Sequence, residues 1–323
     1  MDVLNSIAAL PPSAWCQTFF LGSAAGILAL QLLPDDARGT LMDYGARRPQ
    51  GGDDGNSNND ETDGDKTNQG GSGGLIAQLA SLASAAQVPH SWFWHFYLVS
   101  VSWTAFWAWQ YLSHGAVLGA LARAQVRSGP STPSVELGRV FVAWLMMCAQ
   151  GTRRLYECFF VVKPGRSPML FAHWALGIAF YTAMNMSVWI EGSEAILRSW
   201  DTHVSAAMLT TRVPSTLAVF FAAWLKQNEC HRYLASLKKY TLPSQGMFAY
   251  FVCPHYTCEC VIYLAISFMA APQGALFNWS VLCGLAFVAV NLGGTASGTR
   301  QWYAQKFGAD KVAGRWNMIP FVF

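Results

Sequence analysis

The sequence predicts an all-α protein that crosses a membrane about seven times, and three observations lead to that fold class. Of its 323 residues, 53% are hydrophobic and only 12% are charged, a balance unusual for a water-soluble domain. A membrane-spanning helix needs about 20 consecutive, mostly apolar residues. No GxGxxG phosphate loop, GxSxG turn or HExxH helix interrupts the apolar sequence. Seven stretches approach the required length, at residues 14–33, 92–121, 135–162, 169–190, 204–225, 254–271 and 275–292.

The first stretch has neither a basic leader nor a small-residue cleavage site, so we interpret residues 14–33 as a retained membrane anchor. The segment from Gly51 to Gly74 follows it and is dominated by Gly, Asn and Asp. Because almost no apolar side chain is available to bury, this segment cannot offset the entropy cost of folding. We therefore expect a disordered cytosolic insert.

The second and third stretches exceed one span, which predicts an interfacial extension or a tilted helix in each. The sixth and seventh are separated only by Pro272-Gln273-Gly274, which predicts a tight helical hairpin. Asn278-Trp279-Ser280 is a glycosylation sequon that we expect to lie too near the membrane to be modified.

The positions of Lys and Arg predict the orientation, because cytosolic segments of membrane proteins carry an excess of these residues. With a lumenal N-terminus, 16 of the 21 lie on the cytosolic side and the C-terminus is cytosolic. The formal net charge of +3 is too small to indicate a nucleic-acid partner, and no obligate protein partner is evident. The five lumenal residues are Arg123, Arg127, Arg139, Arg198 and Arg212.

The eight cysteines include no CxxC pair and mostly lie in apolar segments, so a disulfide framework is not expected. Cys253, Cys258 and Cys260 accompany His255, but their spacing matches no common zinc pattern. We expect ordinary thiols and no metal.

Polar residues concentrate at the predicted cytosolic ends of the helices, where they form a basic, aromatic rim. Arg offers a bidentate fork to phosphate and Tyr offers a face on which a ring can stack, so the rim suits an anionic cofactor. Anchoring at the membrane interface explains each of these residues equally well. The rim comprises Arg153, Arg154, Tyr156, Glu157, Gln227, His231, Lys238, Lys239, Tyr240, His255, Glu259, Arg300 and Tyr303.

Two pairs within the apolar stretches carry candidate chemistry. His255 and Glu259 are four residues apart, hence on one helix face, and a carboxylate one turn into an apolar span favours a ligand-facing role over a helix-stabilising pair. His95 and Tyr97 are donors able to hydrogen-bond a carbonyl oxygen, although an aromatic belt with one satisfied His explains them as well.

With these residues in hand, the chain resembles the steroid 5α-reductase family, and within it the polyprenol reductase branch. The most specific parts of the resemblance are the run from Arg153 to Cys158 and the terminus Pro320-Phe321-Val322-Phe323. Only the insert lies outside it. The other matching residues are Asp43-Tyr44-Gly45, His95-Phe96-Tyr97, Cys230-His231, Leu234, Leu237-Lys238, Pro243, Gly246, Phe248, Tyr250, Pro254-His255-Tyr256, Glu259 and Trp302-Tyr303.

The resemblance implies one reductase domain over residues 1–323, embedded in the endoplasmic-reticulum membrane and binding NADPH from the cytosol through residues 204–323. It implies NADPH-dependent reduction of the α-isoprene double bond of a long-chain polyprenal, on the route to dolichol for protein N-glycosylation. The cofactor contacts that it implies are Arg154, Arg166, Gln227, His231, Lys238, Tyr240, His255, Glu259 and Tyr303.

The residues that would contact the substrate differ from those of the steroid enzymes. A Gln-Glu pair of the steroid enzymes corresponds to His95-Phe96 here, and a Tyr of the steroid enzymes corresponds to a position near Gly151. Both departures suit a linear isoprenoid. Because hydride addition to the double bond needs a carbonyl to accept the charge, we expect an aldehyde substrate and a donor facing its oxygen. The candidates for that catalytic donor are His95, Tyr97 and Tyr44.

Other functions stay open at this point. A 3-oxo-steroid 5α-reductase or an enoyl-CoA reductase would share the cofactor rim, and an isoprenylcysteine-type methyltransferase also binds its cofactor near C-terminal helices. A seven-helix receptor or transporter would place its polar groups near mid-membrane, which the one-sided rim argues against.

Overall fold

A computed structural model describes residues 10–32, 86–129, 134–163, 168–202 and 212–323, and within them the protein is mostly helical. The predicted insert from Gly51 to Gly74 lies outside the described residues. The helices are α1 Pro12–Gln31, α2 Trp94–Leu112, α3 Ala116–Ser128, α4 Leu137–Phe160, α5 Phe171–Ile190, α6 Ser193–Thr202, α7 Arg212–Ser236, α8 Pro254–Met269 and α9 Trp279–Phe307. Short 3-10 turns cover His90–Phe93, Gly246–Ala249 and Ala309–Lys311.

A two-stranded antiparallel ladder joins the segments that precede α2 and α5. Strand β1, Gln87–Pro89, pairs with β2, Pro168–Leu170, so that Val88 lies opposite Met169. Both of these side chains are buried. The ladder therefore fixes the beginnings of α2 and α5 side by side.

Eight of the helices overlap the seven predicted apolar stretches: α2 and α3 share the second stretch, and each of the others is overlapped by one of α1, α4, α5, α7, α8 and α9. By length and hydropathy, two helices in the described part of the chain could cross a membrane: α1, with a mean hydropathy of 1.3, and α9, with 1.6. Among the other helices, α4 and α7 carry several charged residues, α2 is rich in Trp and Tyr, and α5 contains His173 and Asn185. Helices α3, α6 and α8 have only 13, 10 and 16 residues. The described part of the chain is mostly helical, as predicted, with one short two-stranded ladder, and the seven-span count stays a prediction.

The second predicted stretch is two helices rather than one extended span. The chain turns at His114, whose φ of 52° lies in the left-handed region. The side-chain oxygen of Gln110 then accepts hydrogen bonds from the amides of Val117 and Leu118, at 3.1 and 3.2 Å. The amides in the first turn of a helix have no partner within that helix. The Gln110 side chain, which belongs to the last turn of α2, therefore caps the beginning of α3.

The loop between the last two helices is longer than the predicted tight hairpin. Residues 270–278 separate α8 from α9, and Asn278 is fully buried in that loop. Its Oδ1 accepts from the Val281 amide at 3.0 Å, and its Nδ2 donates to the Ala270 carbonyl at 3.1 Å. The Asn of the sequon is thus the N-cap of α9, and that helix runs past the predicted end at 292 as far as Phe307.

Three arginines counted as loop charges are in fact buried. Arg139, Arg153 and Arg154 lie within α4 and are 5%, 7% and 8% exposed. Arg139 donates to the carbonyls of Met269 and Phe268 at the end of α8. Setting the three aside leaves 14 predicted cytosolic charges against four lumenal ones, so the asymmetry that predicts the orientation persists.

Candidate functional site

A cavity of about 440 Å³ lies at one end of the helical bundle. The beginnings of α2, α5 and α8, the ends of α4 and α7 and the middle of α9 surround it. Those beginnings and ends lie on the side predicted to be cytosolic. We call one set of lining residues the polar wall: Tyr97, Arg154, Gln227, His231, His255 and Glu259. The apolar wall comprises Phe93, Phe96, Met169, Leu176, Gly177, Phe180, Phe287, Val288 and Leu292, and the remaining lining residues are His90, His173, Tyr181, Tyr256, Asn291 and Thr295.

Tyr97 and Arg154 form a hydrogen-bonded pair at the cavity that could take part in a reaction. The Nε and Nη2 atoms of Arg154 donate to the hydroxyl oxygen of Tyr97 at 3.1 and 2.8 Å. Two donated bonds occupy both lone pairs of that oxygen. The Tyr97 proton must therefore point away from the arginine, and its side chain lines the cavity.

Glu157, which is fully buried one turn further along α4, fixes Arg154. Its Oε2 pairs with Arg154 Nη1 and lies 2.7 Å from Nδ1 of His231. Its Oε1 lies 3.2 Å from Arg153 and accepts from Asn228 Nδ2 at 2.6 Å. Because a buried carboxylate is stable only when its oxygens are partnered, these contacts fix the arginine and the imidazole together.

A second hydrogen-bond network holds Glu259 at the cavity wall. Gln150 donates through Nε2 to Glu259 Oε2 at 3.0 Å and to Gln227 Oε1 at 3.1 Å. Gln227 Nε2 in turn donates to Glu259 Oε2 and, at 3.1 Å, to the carbonyl of His255. Arg153 donates to the side-chain oxygens of both glutamines. The carboxylate thus has a fixed orientation before any ligand arrives.

His255 contributes a polar atom that no described residue satisfies. Its Nδ1 is buried and has no hydrogen-bond partner among the described residues, although the ring lines the cavity. The rings of Tyr256 and His231 lie 4.2 and 5.5 Å away. An unsatisfied buried nitrogen costs about 1–3 kcal/mol, and the surface that the ring gives to the cavity does not include this atom.

Several predicted site residues lie elsewhere. His95 packs among Trp92, Trp94 and Trp174, and the Trp174 indole donates to its Nδ1 at 3.3 Å. His95 is therefore part of an aromatic cluster outside the cavity lining. Tyr44 and Arg166 lie outside the described residues.

The outer rim residues Lys238, Tyr240 and Tyr303 do not line the cavity either. Tyr240 is exposed and lies under the ammonium of Lys306, 3.9 Å from its ring centroid. Tyr303 packs 5.4 Å from Trp302, the ring next to Tyr240. Tyr240, Trp302, Tyr303, Lys239 and Lys306 thus form a separate cation and aromatic cluster further along α9, and Lys238 is the chain neighbour of Lys239.

Sequence reasoning missed three residues of the site. Tyr181 and Gly177 lie in α5 within an apolar run that carries no signal of a site. Gln150 supports the polar wall from behind, as does Glu157, which the sequence analysis placed in the rim.

Comparison with known proteins shows what the chain is similar to. A family described as 3-oxo-5-alpha-steroid 4-dehydrogenase matches residues 167–323, which contribute the cavity residues of α5, α7, α8 and α9. Polyprenal reductase 1 of Arabidopsis thaliana is 27% identical over 271 residues, covering 73% of this chain and 82% of the relative.

Two animal proteins named polyprenal reductase are similar to this chain to the same degree. Polyprenal reductase of Drosophila melanogaster is 28% identical over 263 residues, covering 73% of this chain and 77% of the relative. Polyprenal reductase of Homo sapiens is 26% identical over 273 residues, covering 74% and 79%. These matches also span α2 and α4, which hold Tyr97 and Arg154. The resemblance drawn from scattered motifs is thereby confirmed: the chain is similar to the 3-oxo-5-alpha-steroid 4-dehydrogenase family over residues 167–323 and to polyprenal reductases over about 73% of its length.

Proposed function

We propose that this protein is a membrane-embedded polyprenal reductase that uses NADPH to reduce the α-isoprene double bond of a long-chain polyprenal. Its product is dolichal, on the route to dolichol for protein N-glycosylation. The observation that carries the proposal is the hydroxyl of Tyr97, whose oxygen is held by Arg154 and whose proton is left for a ligand, at the junction of a polar and an apolar wall. The relatives named polyprenal reductase support the choice of substrate.

The residues of the polar wall fit a nicotinamide cofactor. The side chains of Gln227, His231, His255 and Glu259 line the cavity together and carry both donors and acceptors for a carboxamide. When bound, the reduced dinucleotide supplies the hydride. Arg154 donates to Tyr97 and is paired with Glu157, so in this proposal it positions Tyr97 rather than a phosphate.

The outer cluster suits the distal half of the same cofactor. A cavity of about 440 Å³ takes the reacting ends of the two ligands and leaves the rest of each outside. Tyr303 lies two helical turns beyond Thr295, the last cavity residue of α9, which is about 12 Å at 1.5 Å per residue. Lys238, Tyr240 and Tyr303 would there meet phosphate and an aromatic base.

Tyr97 performs the electrostatic part of the reaction. As hydride forms a C–H bond at the β-carbon, the double-bond electrons move toward the carbonyl and its oxygen becomes negative. Tyr97 donates its hydrogen bond to that oxygen, and the Arg154 charge behind it strengthens the donor. The enolate electrons then form the C–H bond at the α-carbon with a proton supplied by solvent, and the carbonyl is restored. The alcohol has no such oxygen, so the aldehyde is the substrate.

The apolar wall holds the α-isoprene unit, and the rest of the polyprenyl tail extends into the bilayer. The rings of Phe93, Phe96, Phe180 and Phe287 line this half of the cavity and exclude water from the reacting carbons. Exclusion of water strengthens the Tyr97 hydrogen bond, because the local dielectric is low.

The proposal includes a location. The domain of residues 1–323 spans the endoplasmic-reticulum membrane seven times with a lumenal N-terminus and a cytosolic C-terminus, and residues 204–323 supply most of the cofactor contacts. The 14 to four charge asymmetry supports this orientation. It opens the cavity to cytosolic NADPH. The lipid substrate and the bilayer are the partners; neither a nucleic acid nor an obligate protein partner is required.

Purified protein in detergent or vesicles tests the function with NADPH and three substrates: polyprenal, polyprenol and a 3-oxo-4-ene steroid. We expect NADPH oxidation and a saturated α-isoprene product with polyprenal alone. Turnover of the steroid alone would overturn the assignment. Protection against thermal unfolding by S-adenosylmethionine, without protection by NADPH, would support the methyltransferase alternative.

A further inference from the structure

Gly177 of α5 lies against the ring of Phe96 of α2, and both residues line the cavity. A Cβ at position 177 would be 2.6 Å from Cε1 and 2.9 Å from both Cδ1 and Cζ of that ring. Carbon atoms in ordinary contact are about 3.5–4.0 Å apart. The absence of a side chain at 177 is therefore what lets the Phe96 ring lie flat against the helix.

Neighbouring aromatic rings restrict the positions that the Phe96 ring can adopt. Phe93 packs edge-on against it at 5.1 Å, and the Tyr181 ring is stacked 6.5 Å away on another side. Phe96 is 7% exposed, so its surroundings are packed except toward the cavity. A group added at 177 would push the ring about 1 Å into that space, given the contact distance above.

Phe96 also adjoins the site of reaction. It precedes Tyr97, the donor to the carbonyl oxygen, and the Tyr181 ring that stacks on it lies 5.5 Å from the Tyr97 ring. In an α,β-unsaturated aldehyde the β-carbon is only three bonds from the oxygen. A substituent on the β-carbon therefore lies near the space between Phe96 and Tyr97.

We propose that Gly177 and Phe96 together determine specificity for the methyl branch on the β-carbon of the substrate. Because Gly177 has no side chain, the Phe96 ring can lie close to α5. The cavity is wider there as a result, and it accommodates the methyl group that distinguishes an isoprene unit from an unbranched chain. The inference rests on the proposed reductase function.

The test compares two ten-carbon aldehydes of similar hydrophobicity, geranial with a β-methyl branch and trans-2-decenal without one. We expect Gly177→Ala to lower the ratio of kcat/KM for geranial to kcat/KM for decenal by about tenfold or more, because one methyl group in an apolar pocket is worth about 10–200-fold. The double variant Gly177→Ala/Phe96→Leu should restore the ratio, since the smaller side chain can retreat. Gly26→Ala is the matched control, because a Cβ at 26 meets nothing within 4 Å.

The outcomes separate the two proposals. A wild-type protein that reduces neither these aldehydes nor polyprenal would overturn the proposed function. A wild-type protein that is active, with a Gly177→Ala ratio unchanged or with equal losses on both aldehydes, would overturn the inference alone. If Gly177→Ala does not fold, the single variant Phe96→Leu tests the proposal. We expect Phe96→Leu to reduce aldehydes with β-substituents larger than methyl more readily than the wild type does. An unchanged substrate preference in Phe96→Leu would refute the proposal.

Discussion

Replacing Tyr97 by Phe removes one oxygen from the cavity wall and leaves the ring. That oxygen accepts from Nε and Nη2 of Arg154, and it carries the proton that the proposed function assigns to the substrate carbonyl. Loss of one preorganised donor to a developing oxyanion costs about 3 kcal/mol, which is a factor of about 10²–10³ in kcat. We therefore expect Tyr97→Phe to lower kcat by that factor while the KM for NADPH changes little.

The same substitution leaves two N–H groups of a buried arginine without an acceptor. Hydrogen bonds to charged groups contribute about 1.5–3 kcal/mol, so a measurable fall in the thermal midpoint accompanies the loss of activity. Protection by NADPH should survive, because His255, Gln227 and Glu259 are untouched. Stopped-flow or steady-state NADPH absorbance gives kcat, and a thermal-shift assay gives stability.

Tyr111 supplies the matched control. It lies in the same helix, and its hydroxyl is hydrogen-bonded to Ser199 at 3.1 Å, outside the cavity lining. Tyr111→Phe should cost about 1 kcal/mol of stability and leave kcat unchanged. If Tyr97→Phe retained kcat within threefold of the wild type, or if the two variants lost activity equally, the role of Tyr97 as the carbonyl donor would be refuted.

Three further predictions concern neighbouring groups. His255→Phe keeps a ring but removes the imidazole nitrogens, so the KM for NADPH should rise about tenfold, the equivalent of 1.4 kcal/mol; unchanged NADPH kinetics would remove His255 from the cofactor site. Arg154→Lys keeps the charge but loses the fork that holds Tyr97, so kcat should fall about 100-fold, whereas a higher NADPH KM at constant kcat would instead indicate a phosphate contact. Asn278→Ala removes the cap of α9 and should lower stability by about 1 kcal/mol without a change in electrophoretic mobility; a faster-migrating band would mean that Asn278 carries a glycan.

The helical class and the positions of the long helices were predictable because apolar composition is a local property of the chain. The interruption at His114 was not, since it depends on Gln110 folding back onto the amides of Val117 and Leu118. The length of α9 was also missed, because polar residues after 292 end the apolar run without ending the helix. Its end at Phe307 coincides with Gly308, whose φ of 100° suits glycine.

The polar wall was predictable in part. Tyr97, Gln227, His231, His255 and Glu259 could be singled out because ionisable or amide groups are expensive in apolar stretches, and the cavity brings them together. The apolar wall could not, because a Phe or Gly that lines a cavity has the same local sequence signature as one that packs in a core. Separating the two requires the distance between side chains on α2 and α5, which no local pattern contains.

The buried charges explain why this side of the cavity holds one arrangement. Glu157 is fully buried, and its oxygens contact Arg153, Arg154, Asn228 and His231. Removing either arginine would leave part of the carboxylate charge uncompensated in a low-dielectric region, so the charged side chains are stable as a unit. Tyr97 is joined to this unit through Arg154, and its side chain lines the cavity. Under the proposed function, this rigidity lowers the entropy cost of placing the Tyr97 hydroxyl against a carbonyl oxygen.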